Sequence, residues 1–510
     1  MLTGLGGQLL TTVLGFVVRT VFIRTLGKEY LGINGLFSNI LSMLSLTELG
    51  LGTAMAYMLY KPLAVNDEKR VRVLLKFYKT AYRVIGVVIF LLGLLMVPFL
   101  RVLIKDYDSL AALGIDAVLL FFIFLLSNVS SYLFLAYRSS VMRANQKRYI
   151  LDIIGFGVTI LVHVVGIVIL VVFKDFIIYK VVSSAILILQ SIVNGIIVKK
   201  YYPEFFKKEK DSLGKEEIKG LFKDCGALFV YKANTVVIKA TDNIVLSAFI
   251  GLKTVGMYSN YLLLYTTCAS ILRHFFDAIR ASMGNVFAVE SAETKYRFFK
   301  ISNFAAMVLY GTAAVGLAAC SNEVILCWIG ADYVIPQPLP ILIGIEMLFG
   351  GIIVNLSQIR EVSGVFRQMW YRPLIGIVVN IVVSIVLAQI WGINGVVIGT
   401  IVTFAFVNFM IDPQLIHKYT FNGEKPVSEY YGKNLLYILI IAAVGAGDVL
   451  FCQYVFVGHG WFSVAVHVLF TGISVPAVFA LLFWKTDECR YLVGMVTGAI
   501  KKISNKFKRA

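Results

Sequence analysis

The chain has 510 residues, of which 59% are hydrophobic and 15% are charged. A soluble globular domain carries about 25% charged residues, so this composition excludes an ordinary water-soluble fold. The formal net charge of +18 could suggest nucleic-acid binding, but the cations lie in segments between apolar runs and not on one folded domain. Membrane topology explains that distribution better, and no nucleic acid is expected as a partner.

The apolar runs are long and continuous, without the alternation of a barrel strand, and this predicts membrane-spanning helices. The predicted fold class is therefore an all-α integral membrane protein with about 14 transmembrane helices. In chain order the predicted helices are 5–26, 33–60, 80–104, 111–137, 150–173, 176–198, 225–250, 255–283, 301–321, 338–358, 373–391, 394–413, 434–456 and 462–484.

The connecting segments alternate between basic and nearly neutral. The basic ones are 61–79, 138–148, 199–223, 295–300, 360–372, 418–433 and the tail from Lys485. Because positively charged loops remain on the cytoplasmic side, these loops and both termini are predicted to be cytoplasmic. We expect a multi-pass membrane protein.

The longest charged loop divides the chain after the sixth predicted helix. It separates a six-helix lobe, 1–198, from a second six-helix lobe, 225–417, with 199–224 as a cytoplasmic linker. An additional two-helix hairpin at 433–484 and a basic cytoplasmic tail at 485–510 complete the predicted organisation. An internal repeat is indicated at an offset of 224 residues, where Gly27, Gly32 and Phe37 match Gly251, Gly256 and Tyr261.

Ionisable residues inside the predicted helices are the candidate functional groups, because each costs about 2.5 to 3.5 kcal/mol near the bilayer centre. They include Arg19, Arg24, Glu48, Lys232, Lys239, Asp242, Arg273, Asp277, Arg280 and Glu346. Cations outnumber acids in the first two helices of each lobe, which predicts a positive cavity. Internal pairs, Arg273 with Asp277 or Lys239 with Asp242, are the alternative, and His467 is predicted to be a packing or interfacial residue.

The order of features resembles the Wzx-type polysaccharide flippases of the multidrug, oligosaccharidyl-lipid and polysaccharide exporter superfamily. Four segments carry the resemblance: 19–32 (RTVFIRTLGKEYLG), 46–53 (LTELGLGT), 328–333 (WIGADY) and 391–395 (WGING). These segments extend over most of the chain but are short and permissive. The resemblance implies alternating access between two lobes. It also implies that the substrate is an undecaprenyl-diphosphate-linked oligosaccharide, which the protein moves from the inner to the outer leaflet of the bacterial plasma membrane for cell-surface polysaccharide biosynthesis.

Such a substrate needs fixed positive charge for its diphosphate, which the planar guanidinium of arginine binds in bidentate fashion. On that basis Arg19, Arg24, Lys239 and Arg273 are predicted to contact substrate. Glu48, Asp242, Asp277 and Glu346 are predicted to couple an ion, H⁺ or Na⁺, or to pair with cations. Besides substrate and membrane lipids, a glycan polymerase and glycosyltransferases are the candidate partners.

Several classes of function remain as alternatives. The chain has no nucleotide-binding loop, metal-ligand cluster or nucleophile motif, which excludes a self-contained ATP-driven pump and leaves a secondary transporter or a lipid-facing enzyme. The resemblance favours the transporter, so no enzyme activity, cofactor or metal is expected. A cation-coupled multidrug exporter of the same superfamily should line its cavity with acids. A polytopic glycan polymerase or ligase would usually need a larger external loop than 322–336, and an inactive scaffold in a glycan-assembly complex is the third alternative.

Overall fold

The structure is a computed structural model that describes residues 2–45, 51–105, 107–108, 110, 114–133, 136–145, 147–365, 368–421, 423–455 and 460–507. Within these ranges every regular element is helical, and no β-strand occurs. The predicted all-α class is confirmed. The chain divides into two compact units, Met1–Gly256 and Met257–Ala510, which we call unit 1 and unit 2.

The described part of unit 1 contains eight long helices and the start of a ninth. They are α1 Leu2–Leu26, α2 Lys28–Leu44, α3 Leu51–Ala64, α4 Glu68–Met96, α5 Ala117–Leu133, α6 Arg148–Val172, α7 Phe176–Tyr201, α8 Lys215–Phe249 and α9 Leu252–Val289. Within the unit, α1 packs on α6, α4 packs on α5, and α8 packs on α2.

The described part of unit 2 contains most of α9 and seven further helices. They are α10 Ala292–Ile329, α11 Leu339–Ser363, α12 Arg372–Trp391, α13 Ile393–Thr420, α14 Val427–Leu450, α15 Trp461–Phe483 and α16 Asp487–Phe507. A π-helical segment, Thr403–Phe409, interrupts α13. The helix α10 is central, because α11, α14 and α15 all pack against it.

Each predicted helix overlaps a helix in the structure, but three boundaries differ in a way that matters for function. The predicted helix 33–60 corresponds to two helices, α2 and α3, and residues 46–50 between them lie outside the described residues. The helix α10 continues to Ile329, so the first residues of the predicted external loop 322–336 are helical. The predicted tail forms the helix α16.

Short polar side chains fix several helix starts, because the first backbone N–H groups of a helix have no partner within it. The carboxylate of Asp67 accepts a hydrogen bond from the backbone N–H of Arg70, and Asp175 does the same for Ile178, each at 2.9 Å. The turns before α2 and α9 use Gly27 with φ 94° and Gly251 with φ 121°. That left-handed conformation favours glycine.

Nine helices among the described residues are long and apolar enough to cross a membrane. In α10 and α11, 61% of the apolar window is buried inside the protein, whereas in α6 and α7 only 17% is buried. Apolar side chains that the protein leaves exposed need a lipid environment, since water would make that exposure unfavourable. The protein is therefore a multi-pass membrane protein with α10 and α11 at the centre of unit 2.

The linker between α7 and α8 is held against the start of α4 by ion pairs. Lys69 pairs with Asp211 at 2.7 Å, and Arg72 pairs with Glu209 at 3.2 Å. Arg70 pairs with Glu217, in the first turn of α8, at 2.7 Å. These contacts fix the path of the predicted cytoplasmic linker within unit 1.

Candidate functional site

Two of the predicted substrate cations lie near the end of α1. Arg24 is exposed in the last turn of the helix, where a cation interacts favourably with the helix dipole. Arg19 is half-buried and lies close enough to Tyr179 of α7 to act on its hydroxyl electrostatically. Arg24 is therefore accessible to a ligand.

Lys180 of α7 is a third cation in this region, which the sequence interpretation missed. Its Nζ lies 3.6 Å from the centroid of the Phe124 ring, within the range of a strong cation–π interaction. Phe124 in turn lies 5.6 Å from the Phe37 ring and 6.4 Å from the Phe176 ring. The signal was present, because Lys180 lies within the apolar run of the sixth predicted helix.

The candidate residues of the predicted helix 33–60 and of α8 are only partly described. Glu48 lies outside the described residues, and so do the side chains of Lys232 and Lys239. Asp242 lies on α8 and is buried, with 8% of its surface exposed. A carboxylate so buried in a membrane helix is costly without a compensating group.

The charged face of α9 belongs to unit 2. Arg273 is exposed and lies close enough to Tyr310 of α10 to act on it electrostatically. Asp277 accepts a hydrogen bond from Arg280 at 2.6 Å, and Arg280 also reaches Glu361 of α11 at 3.4 Å. Asp277 therefore pairs with the cation one turn after it, and Arg273 presents its guanidinium on the surface of unit 2.

Glu346 is buried in α11, at 7% exposure, as its mid-helix position predicts. A different buried charge cluster lies in unit 2 and was not predicted. Asp412 is fully buried and accepts two hydrogen bonds from Arg372, both at 2.6 Å, and one from Arg360 at 3.3 Å. The two arginines were predicted to belong to the cytoplasmic loop 360–372, whereas Arg360 lies on α11 and Arg372 is the first residue of α12.

The family comparison gives the first functional assignment. The sequence profile of the family described as polysaccharide biosynthesis protein matches residues 2–279, which is more than half of the chain. The chain belongs to the polysaccharide biosynthesis protein family. The matched region contains Arg19, Arg24, Lys239 and Arg273, so all four predicted substrate cations lie in the part of the chain that resembles this family.

Solved structures place this family member in a known fold. The chain is similar to a lipid II flippase, MurJ, in an inward closed conformation, with a TM-score of 0.67 and 15% identity, over 95% of this chain and 99% of that chain. It is similar to an inward-facing multidrug resistance MATE family transporter of the MOP superfamily, with a TM-score of 0.56 and 14% identity, over 82% and 96% of the two chains.

A mutant form of a MATE transporter from Vibrio cholerae gives a TM-score of 0.51 at 13% identity, over 80% of this chain and 92% of that chain. A search of curated proteins by sequence finds no match. At such low identities the structural comparisons establish the fold, which this member of the polysaccharide biosynthesis protein family shares with a protein named as a flippase and with MATE transporters.

Proposed function

We propose that the protein is a flippase that moves an oligosaccharide linked to undecaprenyl diphosphate from the inner to the outer leaflet of the bacterial plasma membrane. The observation that carries the proposal is the match to the polysaccharide biosynthesis protein family, in a chain whose fold is that of a protein named as a lipid II flippase. The proposal includes alternating access between the two predicted six-helix lobes, cytoplasmic termini, and contacts with a glycan polymerase and glycosyltransferases.

The substrate chemistry requires positive charge that a diphosphate can reach. We assign this role to Arg19 and Arg24 of α1, Lys239 of α8 and Arg273 of α9. The exposure of Arg24 and Arg273 within their units supports the assignment, because each guanidinium is open to an incoming anion. We add Lys180 to the set, since its Nζ lies 3.6 Å from the centroid of the Phe124 ring and it directly follows Tyr179, the residue on which Arg19 acts.

The predicted acids divide into two groups. The ion pair with Arg280 supports a pairing role for Asp277. Asp242 and Glu346 are buried in membrane helices, which supports a role in binding H⁺ or Na⁺ or in pairing with a cation. We retain Glu48 in this second group on sequence grounds alone.

The decisive experiment measures flipping of a fluorescent undecaprenyl-diphosphate sugar in vesicles that contain the purified full-length protein. We expect Arg273→Ala and Arg19→Ala to abolish flipping while the protein remains folded, and Arg19→Lys to retain part of the activity because charge survives without the bidentate geometry. The matched control is Arg297→Ala, since Arg297 is an exposed arginine that pairs with Asp487 of α16. Wild-type flipping in Arg273→Ala would overturn the assignment of that residue.

A multidrug exporter is the second candidate function, and the similarity to MATE transporters is the observation that favours it. The same vesicles distinguish the two, because an exporter would accumulate organic cations across the membrane and would leave the prenyl-linked sugar in its original leaflet. Organic-cation transport without flipping would therefore replace the first proposal.

A further inference from the structure

Three membrane-spanning helices of unit 2, α10, α14 and α15, bring titratable side chains together. The imidazole of His467 on α15 is buried, with 3% of its side chain exposed, and its Nδ1 lies 2.6 Å from Oε2 of Glu323 on α10. The Glu323 side chain is 18% exposed. At this distance an imidazole N–H donates a hydrogen bond to the carboxylate, and the charge on the acceptor strengthens that bond.

A second carboxylate lies in the same region. Asp448 of α14 is 4% exposed and accepts a hydrogen bond from the hydroxyl of Ser474 at 2.5 Å. The buried thiols of Cys320 and Cys452 lie close enough to Glu323 and Asp448 for both acids to act on them electrostatically. The two carboxylates therefore belong to one polar cluster where α10, α14 and α15 pack together.

The charge of this cluster is unbalanced. In the part of the chain that the structure describes, no lysine or arginine forms an ion pair with Glu323 or Asp448. Two ionised carboxylates beside one neutral imidazole would place two negative charges in a region of low dielectric. An uncompensated charge is strongly unfavourable there. Bound protons lower this cost most simply, because each one removes a full charge without any movement of the helices.

We propose that Glu323, His467 and Asp448 form a proton-binding site within unit 2. Among the described residues, no group of three or more His, Cys, Asp or Glu side chains is arranged to hold a metal ion, so a proton fits the cluster better than a metal ion. The site lies near the helix ends that the charge pattern predicts to be external, because α10 ends at Ile329 and α15 begins at Trp461. Its existence does not depend on which substrate the protein carries.

Carbodiimide labelling tests the site directly in the full-length protein in its native membrane. Dicyclohexylcarbodiimide enters apolar regions and modifies carboxyl groups only when they are protonated, and mass spectrometry identifies the labelled residue. We expect labelling of Glu323 or Asp448 near neutral pH, with a decline as the pH rises. The matched control is Glu361, an exposed acid of unit 2, which should show no such labelling.

Three variants sharpen the test. Glu323→Gln and Asp448→Asn should each remove labelling at their own position and change the pH profile at the other, as expected for coupled sites. His467→Gln should change the pH dependence of labelling at Glu323, because the hydrogen bond between the imidazole and that carboxylate is gone. Absence of labelling at both acids, or labelling that does not change with pH, would overturn the site. Protection of the two acids from labelling by Na⁺ but not by choline would show that the site binds a metal ion and not a proton.

Discussion

Gly32 of α2 and Gly256 of α9 lie 224 positions apart, and each approaches the backbone of the other's hairpin. A Cβ atom at Gly32 would overlap the carbonyl oxygen of Leu252, and a Cβ at Gly256 would overlap the carbonyl oxygen of Lys28. Lys28 and Leu252 are themselves 224 positions apart. The contact is therefore reciprocal under the repeat that the sequence indicates, which supports our proposal of two equivalent hairpins.

Replacing Gly32 with valine should disrupt this contact, because the new side chain meets backbone that cannot rotate away. Overpacking of this kind costs about 1 to 3 kcal/mol, so we expect a lower melting temperature in detergent and reduced transport. The control is Gly157→Val in α6, where a Cβ atom would meet no other atom within 4 Å. Equal melting temperatures for the two variants would contradict a required close approach at Gly32.

Removing the carboxylate of Asp412 should destabilise the protein strongly. Asp412→Ala would leave Arg360 and Arg372 buried without their shared acid, at a cost of about 3 to 5 kcal/mol. We expect low abundance or a large fall in melting temperature. Asp277→Ala is the matched control, since it breaks an exposed pair worth about 0 to 1 kcal/mol. A comparable loss of stability in both variants would show that burial does not set the strength of the Asp412 cluster.

The docking of the linker on α4 should weaken in acid. Hydrogen bonds from Arg72, Lys69 and Arg70 lower the pKa of Glu209, Asp211 and Glu217, respectively. Because the pKa is lower in the docked form, the stabilisation is fully present above the undocked values of about 4 and is lost as the pH falls through the lowered ones. The protection factors of the backbone amides of residues 203–214, which are exchange rates corrected for their intrinsic pH dependence, should therefore fall below about pH 4 and stay constant between about pH 6 and pH 8.

The same three ion pairs provide the control for this acid effect. Arg72→Ala should already lower these protection factors at neutral pH and should show a smaller further fall in acid, since one of the pairs is absent. An unchanged pH profile in Arg72→Ala would indicate that other groups hold the linker.

The orientation in the membrane can be tested at Ser212, which is exposed within the linker. Because the positive-inside rule places 199–223 in the cytoplasm, Ser212→Cys should resist a membrane-impermeant thiol reagent in intact cells and react after the cells are opened. All six native cysteines would first be replaced, so that only this position reports. Reaction in intact cells would invert the predicted topology.

Local pattern was enough to establish the class of the molecule. The helices and the membrane environment follow from apolar runs whose length matches the bilayer, and short motifs such as 19–32 indicate the family that the profile match then establishes. The glycine pairs of the repeat were also visible, because a close backbone approach demands glycine wherever it occurs. Each apolar run, each motif and each copy of the glycine pattern lies within one or two consecutive helices.

The partners of the charged side chains were decided only by the tertiary structure. Arg372 and Asp412 are 40 positions apart and Glu323 and His467 are 144 apart, so no local spacing relates either pair. Glu323 was further hidden because its helix extends past the predicted boundary into what reads as a loop. A charge in a membrane helix is recognisable from sequence by its cost, but whether another charge, a ring or a proton compensates it depends on which helices pack together.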